Sequence, residues 1–413
     1  MGLLDKLKSL KSNPNQKIEK DAFILCHEDN SDAMLAAFDA IVGTQLAGGG
    51  VNSGTLHNGD LDIEIITFGA DLGKECAEYI QKQANGIAGY VHSIETKLVD
   101  IKINAIHQLL RSKGFIVLKY TYPGPKNPTT ESMVWGLIFQ VCKRVHGLAL
   151  ADEASTVLDS DGHIVLAKDG SSELDWFMPY ETPTAPEYWQ GAPAEAMQRR
   201  DRTLEKLHAR HIFVTEWLPL VETEETAHFR TTEEIAGRAA ALLIVALYSE
   251  CLLGEKMSIA EAREFVTPII ADFRADNYFS PKEKAYLEND HSTEQEQIQF
   301  AWQYEPLMVM LWALGYEPEL FFPDRICDVP GIVRIMRENG SIDSLVENAK
   351  PRTHAELLDE ADMIYRMDWA CVDTRIHSLP APAGMDGGVV MERHKALNWL
   401  ILEDDWDEVD IST

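Results

Sequence analysis

The stretch YRMDWACVDTRIH, Tyr365 to His377, gathers two arginines, two aspartates, a cysteine, a tryptophan and a histidine. A second stretch, VVMERHKALNWLI from Val389 to Ile401, adds Glu392, Arg393, His394 and Asn398. Several chemistries use such residues. Cys371 with His377 or His394 has the residue types of a nucleophile and its base. Asp373, Glu392 and His394 are the types that serve as acid/base groups or hold a divalent metal. Arg366, Trp369, Arg375, Arg393 and Asn398 suit the binding of an anionic group or a partner. A structural reading competes with all three: arginine forks pairing with Asp and Glu across two helices, with Trp369 and Trp399 packed around them. A cysteine on an apolar helical face is usually an inert core thiol. No HExxH or comparable spacing supports a metal, so no metal and no cofactor is expected.

The elements that must position these groups are helices. Over a helix from about Thr353 to His377, Asp362, Arg366, Trp369 and Asp373 recur at intervals of four, three and four, on one face. Asp368 and Arg375 share a second face, with Cys371 between them. In the next helix Val389, Val390, Leu397, Trp399, Leu400 and Ile401 spread around most of the circumference. A helix apolar on several sides is buried, so its charged residues need partners or line a cleft.

The region upstream is also helical. Thr231…Glu234, Ser258…Glu261, Ser280…Glu283, Thr293…Glu296 and Thr353…Glu356 fit the capping box. Pro281 stands at a first helical position, whereas Pro268 and Pro306 are expected to kink their helices.

Residues 21–178 read differently, as alternating strands and helices. AFILCH (Ala22–His27), LDIEIITFG (Leu61–Gly69), GIAGYVHSI (Gly86–Ile94) and FIVLKYTYPG from Phe115 have strand character. SDAMLAAFDAIV, capped by Ser31, KLVDIKINAIHQLLRSKG, closed by Gly114, and SMVWGLIFQVCKRVHG read as helices. STVLDSDGHIVLAKDG reads as a hairpin turning at Asp161-Gly162. The expected fold class is α+β: an N-terminal ferredoxin-like α/β sandwich followed by an all-helical domain. The expected domains are an N-terminal amphipathic segment (1–20), the α+β domain (21–178), a Pro-rich linker (179–198) and the helical domain (199–413). The loop AGGGVNSG (Ala47–Gly54) lacks GxGxxG and GKS/GKT, so a flexible turn is expected. CHED (Cys26–Asp29) is a polar cluster at a strand end.

Composition bounds the function. A formal charge of −30 disfavours nucleic acid and suits a basic protein partner. Six scattered cysteines without CxxC argue against a disulfide framework and fit a reducing cytoplasm. The longest apolar run, AAALLIVALY (Ala239–Tyr248), is about half a membrane span. Lys6 stands where the myristoylation pattern after Gly2 needs Ser or Thr. A soluble cytoplasmic protein without membrane attachment is expected.

From about Arg200 to the C-terminus the sequence resembles the bacterial "domain of unknown function 4272" family. The blocks that carry the resemblance include FAWQYEPLMVMLWALGY, FFPDRICDV, LLDEADMIYRMDWACVDTRI, GVVMERHKALNWLI and DDWDEVDIST. It implies that Trp302, Glu305, Trp312, Arg366, Trp369, Asp373, Arg375, Glu392, Arg393, His394, Asn398 and Trp399 belong to the family signature, and it brings no activity with it. Two functions are therefore carried forward. One is a non-enzymatic protein-binding module, in a conflict or stress setting such as toxin neutralisation. The alternative is a hydrolase whose site lies between the two charged helices, with Asp373, Glu392 and His394 as acid/base groups and Arg366 and Arg393 holding an anionic substrate group.

Overall fold

The computed structural model describes residues 17–43, 46–48, 52–124, 127–151, 155–181 and 189–413. The chain divides into two compact units, Met1–Thr184 and Ala185–Thr413.

In the first unit, β1 (Lys17–Cys26), α1 (Ser31–Val42), β2 (Ala47–Gly48), β3 (Ser53–Asn58) and β4 (Leu61–Gly69) lead to α2 (Lys74–Ser93) and α3 (Val99–Leu110). Then come β5 (Gly114–Pro123), α4 (Pro128–Val145), β6 (Gly147–Ala151), β7 (Thr156–Leu158) and β8 (Ile164–Leu166). The strands form one antiparallel sheet in the order β2-β3-β4-β5-β1-β6-β7-β8. Its central part, β6-β1-β5-β4, with α1 following β1 and α4 following β5, has the ferredoxin-like arrangement. Two strands are added on each edge, and α2 and α3 stand where a simple hairpin would join β4 to β5. On one face, Met34 and Phe38 of α1 and Ile138 and Val141 of α4 pack on Ile24, Ile65 and Ile116. On the other, Phe23 and Phe68 stack on Phe115, and Tyr79 of α2 packs tilted against Phe68 and Phe115.

Several expectations need correction. GIAGYVHSI is the second half of α2, not a strand. Gly86 and Gly89 weaken the helical signal, yet Ile80, Ala84, Ala88 and Val91 are buried at helical spacing. Asn30 caps α1 in place of Ser31, accepting from the Ala33 amide at 2.8 Å. Gly114 does not close α3, which ends at Leu110; it opens β5, where a Cβ would lie 2.1 Å from Met34 Cε and 2.2 Å from the Glu28 carbonyl oxygen. The 1–20 segment lies outside the described residues up to 16, and Lys17–Lys20 already belong to β1. Within 179–198, residues 182–188 lie outside the described set and α5 (Ala194–His208) begins directly after Pro193, so local composition overran a helix start. Of the glycine loop, residues 49–51 are outside it too, while Ala47–Gly48 and Ser53–Gly54 are in strands.

The second unit is helical: α5, α6 (Thr232–Leu253), α7 (Ile259–Phe273), α8 (Pro281–Glu288), α9 (Glu294–Ala301), α10 (Tyr304–Ala313), α11 (Val329–Asn339), α12 (Ile342–Asn348), α13 (His354–Ile376) and α14 (Gly387–Ile401). All five capping boxes form. Pro268 lies inside α7, but Pro306 sits in the first turn of α10, where its missing N–H is harmless. The core helix is α6, buried on nearly all sides. As a whole it is long and apolar enough to cross a membrane, with mean hydropathy 1.6 over its most apolar window, but 89% of that window is buried inside the protein. Its one interior charge, Arg238, is paired with Glu283 at 2.5 Å.

Candidate functional site

Asp362, Arg366 and Asp368 of α13 and Arg393 and His394 of α14 are buried, and two ion pairs and one histidine–aspartate hydrogen bond organise them. Arg366, with no exposed surface, donates to Asp362 one turn earlier through Nε at 3.1 Å and Nη2 at 3.0 Å. Arg393 donates through Nε to Glu305 Oε2 at 3.2 Å and through Nη1 to the Phe321 carbonyl at 2.6 Å. The other Glu305 oxygen accepts from the Cys327 amide. One carboxylate thus ties α10, the loop before α11 and α14 together. His394, 1% exposed, donates from Nδ1 to Asp368 at 2.8 Å, and its Nε2 accepts from Asn398 Nδ2 at 3.1 Å. Asn398 also donates to the Asp410 carbonyl at 2.8 Å, which fixes the amide orientation and hence the Nδ1–H tautomer. Both ring nitrogens are in use.

The proposed acid/base groups do not converge. Asp373 lies beside His377, whose Nδ1 is 3.8 Å from its carboxylate. His394 faces Asp368, about 140° around α13 from Asp373. Glu392 neighbours Gln303, Lys395 and Glu305; burial raises its carboxyl to about 7, against the pull of Lys395 and with the push of Glu305. Cys371 is buried and its thiol is pushed up to about 12 by burial, with Asp368 and Asp386 adding to it, the reverse of an activated nucleophile. Of the expected binding residues, Arg366, Arg393 and Asn398 are in the network, Trp369 meets Phe213 edge-on at 6.2 Å, and Arg375 is exposed at the end of α13.

A groove of about 600 Å³ adjoins the network, between α5, the Leu320–Pro323 loop, α13 and α14. Lys206, Arg210, Phe321, Phe322, Glu360 and Met363 line it, together with Arg393. The guanidinium of Arg210 lies 4.5 Å from the Phe322 ring centre and that of Arg393 4.5 Å from Phe321. Burial raises the Glu360 carboxyl and lowers the Arg393 guanidinium.

A family model described as Domain of unknown function (DUF4272) matches residues 199–409. The chain belongs to the DUF4272 family. No curated protein and no solved structure matches it. In this DUF4272 chain, Arg230 and Arg352 act as clamps that sequence reasoning missed. Arg230 donates to the carbonyls of Trp399, Leu402 and Asp404 and lies over the Trp399 ring. Arg352 donates to Trp312, Glu317 and Pro318 and lies over the Trp312 ring. Each satisfies carbonyls at or just beyond a helix C-terminus while packing on a tryptophan. The groove residues Lys206, Arg210 and Glu360 were missed as well. The aromatic pair Phe321-Phe322 in a short loop was the one local signal for them.

Proposed function

We propose that this protein acts by binding a basic protein partner in the cytoplasm and not by hydrolysis. The observation that carries the reading is the open half of the N-terminal sheet. Beyond the ring stack of Phe23, Phe68 and Phe115, the same face turns polar. Cross-strand pairing places Asp21 and Glu64 on either side of Lys119, and Glu19 and Asp62 on either side of Thr121. All four carboxylates are exposed and line an open trough of about 960 Å³. Four carboxylates against two lysines, Lys119 and the Glu131-paired Lys20, on a chain of charge −30, favour a cationic surface as the complement. The sealing of His394 and the scattering of Asp373 and Glu392 give the hydrolase alternative no shared site. All six cysteines are free, which suits a reducing compartment.

The test is charge reversal on the trough. The double variant Asp21→Lys/Glu64→Lys should weaken salt-dependent binding of a folded basic protein such as cytochrome c by about tenfold or more. Reversal of two exposed acids elsewhere, Glu225→Lys/Glu264→Lys, changes the net charge equally and should leave the affinity within about twofold. Equal losses in both variants would mean that net charge alone attracts the probe, and the docking reading would be wrong.

A further inference from the structure

The groove beside Arg393 reverses the sign of the surrounding protein. Its lining carries Lys206, Arg210 and Arg393 against one carboxylate, Glu360, in a chain of net charge −30. Lys206 and Arg210 are exposed at the rim, whereas Arg393 is 2% exposed. Arg393 uses Nε on Glu305 and Nη1 on the Phe321 carbonyl, but its Nη2 has no hydrogen-bond partner among the described residues. A buried guanidinium nitrogen without an acceptor is costly, and one oxygen of an arriving carboxylate can accept from it. The rest of the wall is apolar, with Phe321, Met363 and Leu397 alongside, and about 600 Å³ lies within the size range of small-molecule sites.

We infer that this groove binds a small amphipathic carboxylate, an aliphatic or aryl chain ending in one carboxylate. The carboxylate is drawn by Lys206 and Arg210 and held by Arg393; the chain lies along Phe321, Met363 and Leu397. With Glu305 already paired to Arg393, the lining keeps one cation in excess, which suits a single negative charge, and an apolar chain suits the wall. Nothing in this assignment depends on the acidic trough of the other unit.

Octanoate is the probe, titrated into the full chain by calorimetry, with 1-octanol and acetate as controls that remove the charge or the chain. Octanoate should bind at one site, and each control at least about tenfold more weakly. Lys206→Glu/Arg210→Glu, at exposed positions, and Met363→Trp, which fills the groove, should each weaken octanoate by about tenfold or more. Thermal unfolding without ligand checks that each variant is folded; if Met363→Trp is not, the rim variant decides. The inference is overturned if octanoate does not bind, if octanol binds as tightly, or if the folded rim variant retains the parent affinity.

Discussion

Glu392 is the residue whose chemistry makes the sharpest local prediction. Its ordinary value is 4.5, and in the folded chain burial raises it to about 7. Below 4.5 the native and unfolded chains both hold the proton, so Glu392 adds no pH dependence. Between these values the native carboxyl keeps a proton that the unfolded chain has lost, and stability falls as pH rises. Above about 7 the penalty is complete, up to ~3 kcal/mol. Glu392→Gln should therefore gain urea stability over the parent at pH 8 and almost none at pH 4.5; an equal shift at both pH values would contradict the assignment. Residue-scale pairing was only partly legible in the sequence. Asp362 and Arg366 are four apart and one face of a helix brings them together. Glu305 lies 88 positions from Arg393, and Asp368 26 from His394. Such partners follow from helix packing, which periodicity does not report.

At the scale of elements, the helix starts were the most legible feature, because a capping box is complete within four residues. Thr353→Ala should cost about 1 kcal/mol, read as a lowered denaturation midpoint without a changed slope. The core helix α6 offers a test in which two effects oppose. Gly237→Ala improves helix propensity by about 1 kcal/mol. Its new Cβ, however, would lie 2.1 Å from Tyr278 Cδ1. Overpacking should win, with a net loss of about 1–2 kcal/mol; a variant more stable than the parent would show that Tyr278 yields freely. The misread strand at Gly86–Ile94 has the opposite origin. Its glycines have nothing within 4 Å of an added Cβ, so they spoil propensity at open positions while the buried face still specifies a helix.

On the scale of the whole molecule, the α+β and helical division was legible because the hydrophobic period changes along the chain. Of the extra strands at the sheet edges, the β7-β8 hairpin was legible from its Asp161-Gly162 turn, whereas β2, with two residues, is too short for alternation to register, and β3 (SGTLHN) carries one large apolar residue, Leu56. Among the described residues, the helical core begins at Leu204, and the family match begins at residue 199. Residues 189–413 alone should therefore unfold in one cooperative transition; a non-cooperative melt would show that this unit needs the rest of the chain. The central claim is that the buried charged and polar groups of α13 and α14 form a network that holds the fold. Its most direct test is equilibrium unfolding of His394→Ala and Asp368→Ala beside the parent at pH 7. His394→Ala, which strands the Asp368 carboxylate, should lose about 3–5 kcal/mol, and Asp368→Ala, which strands the His394 N–H, about 1–3 kcal/mol. A variant as stable as the parent, or more stable, would contradict the claim and mark these residues as a strained functional site.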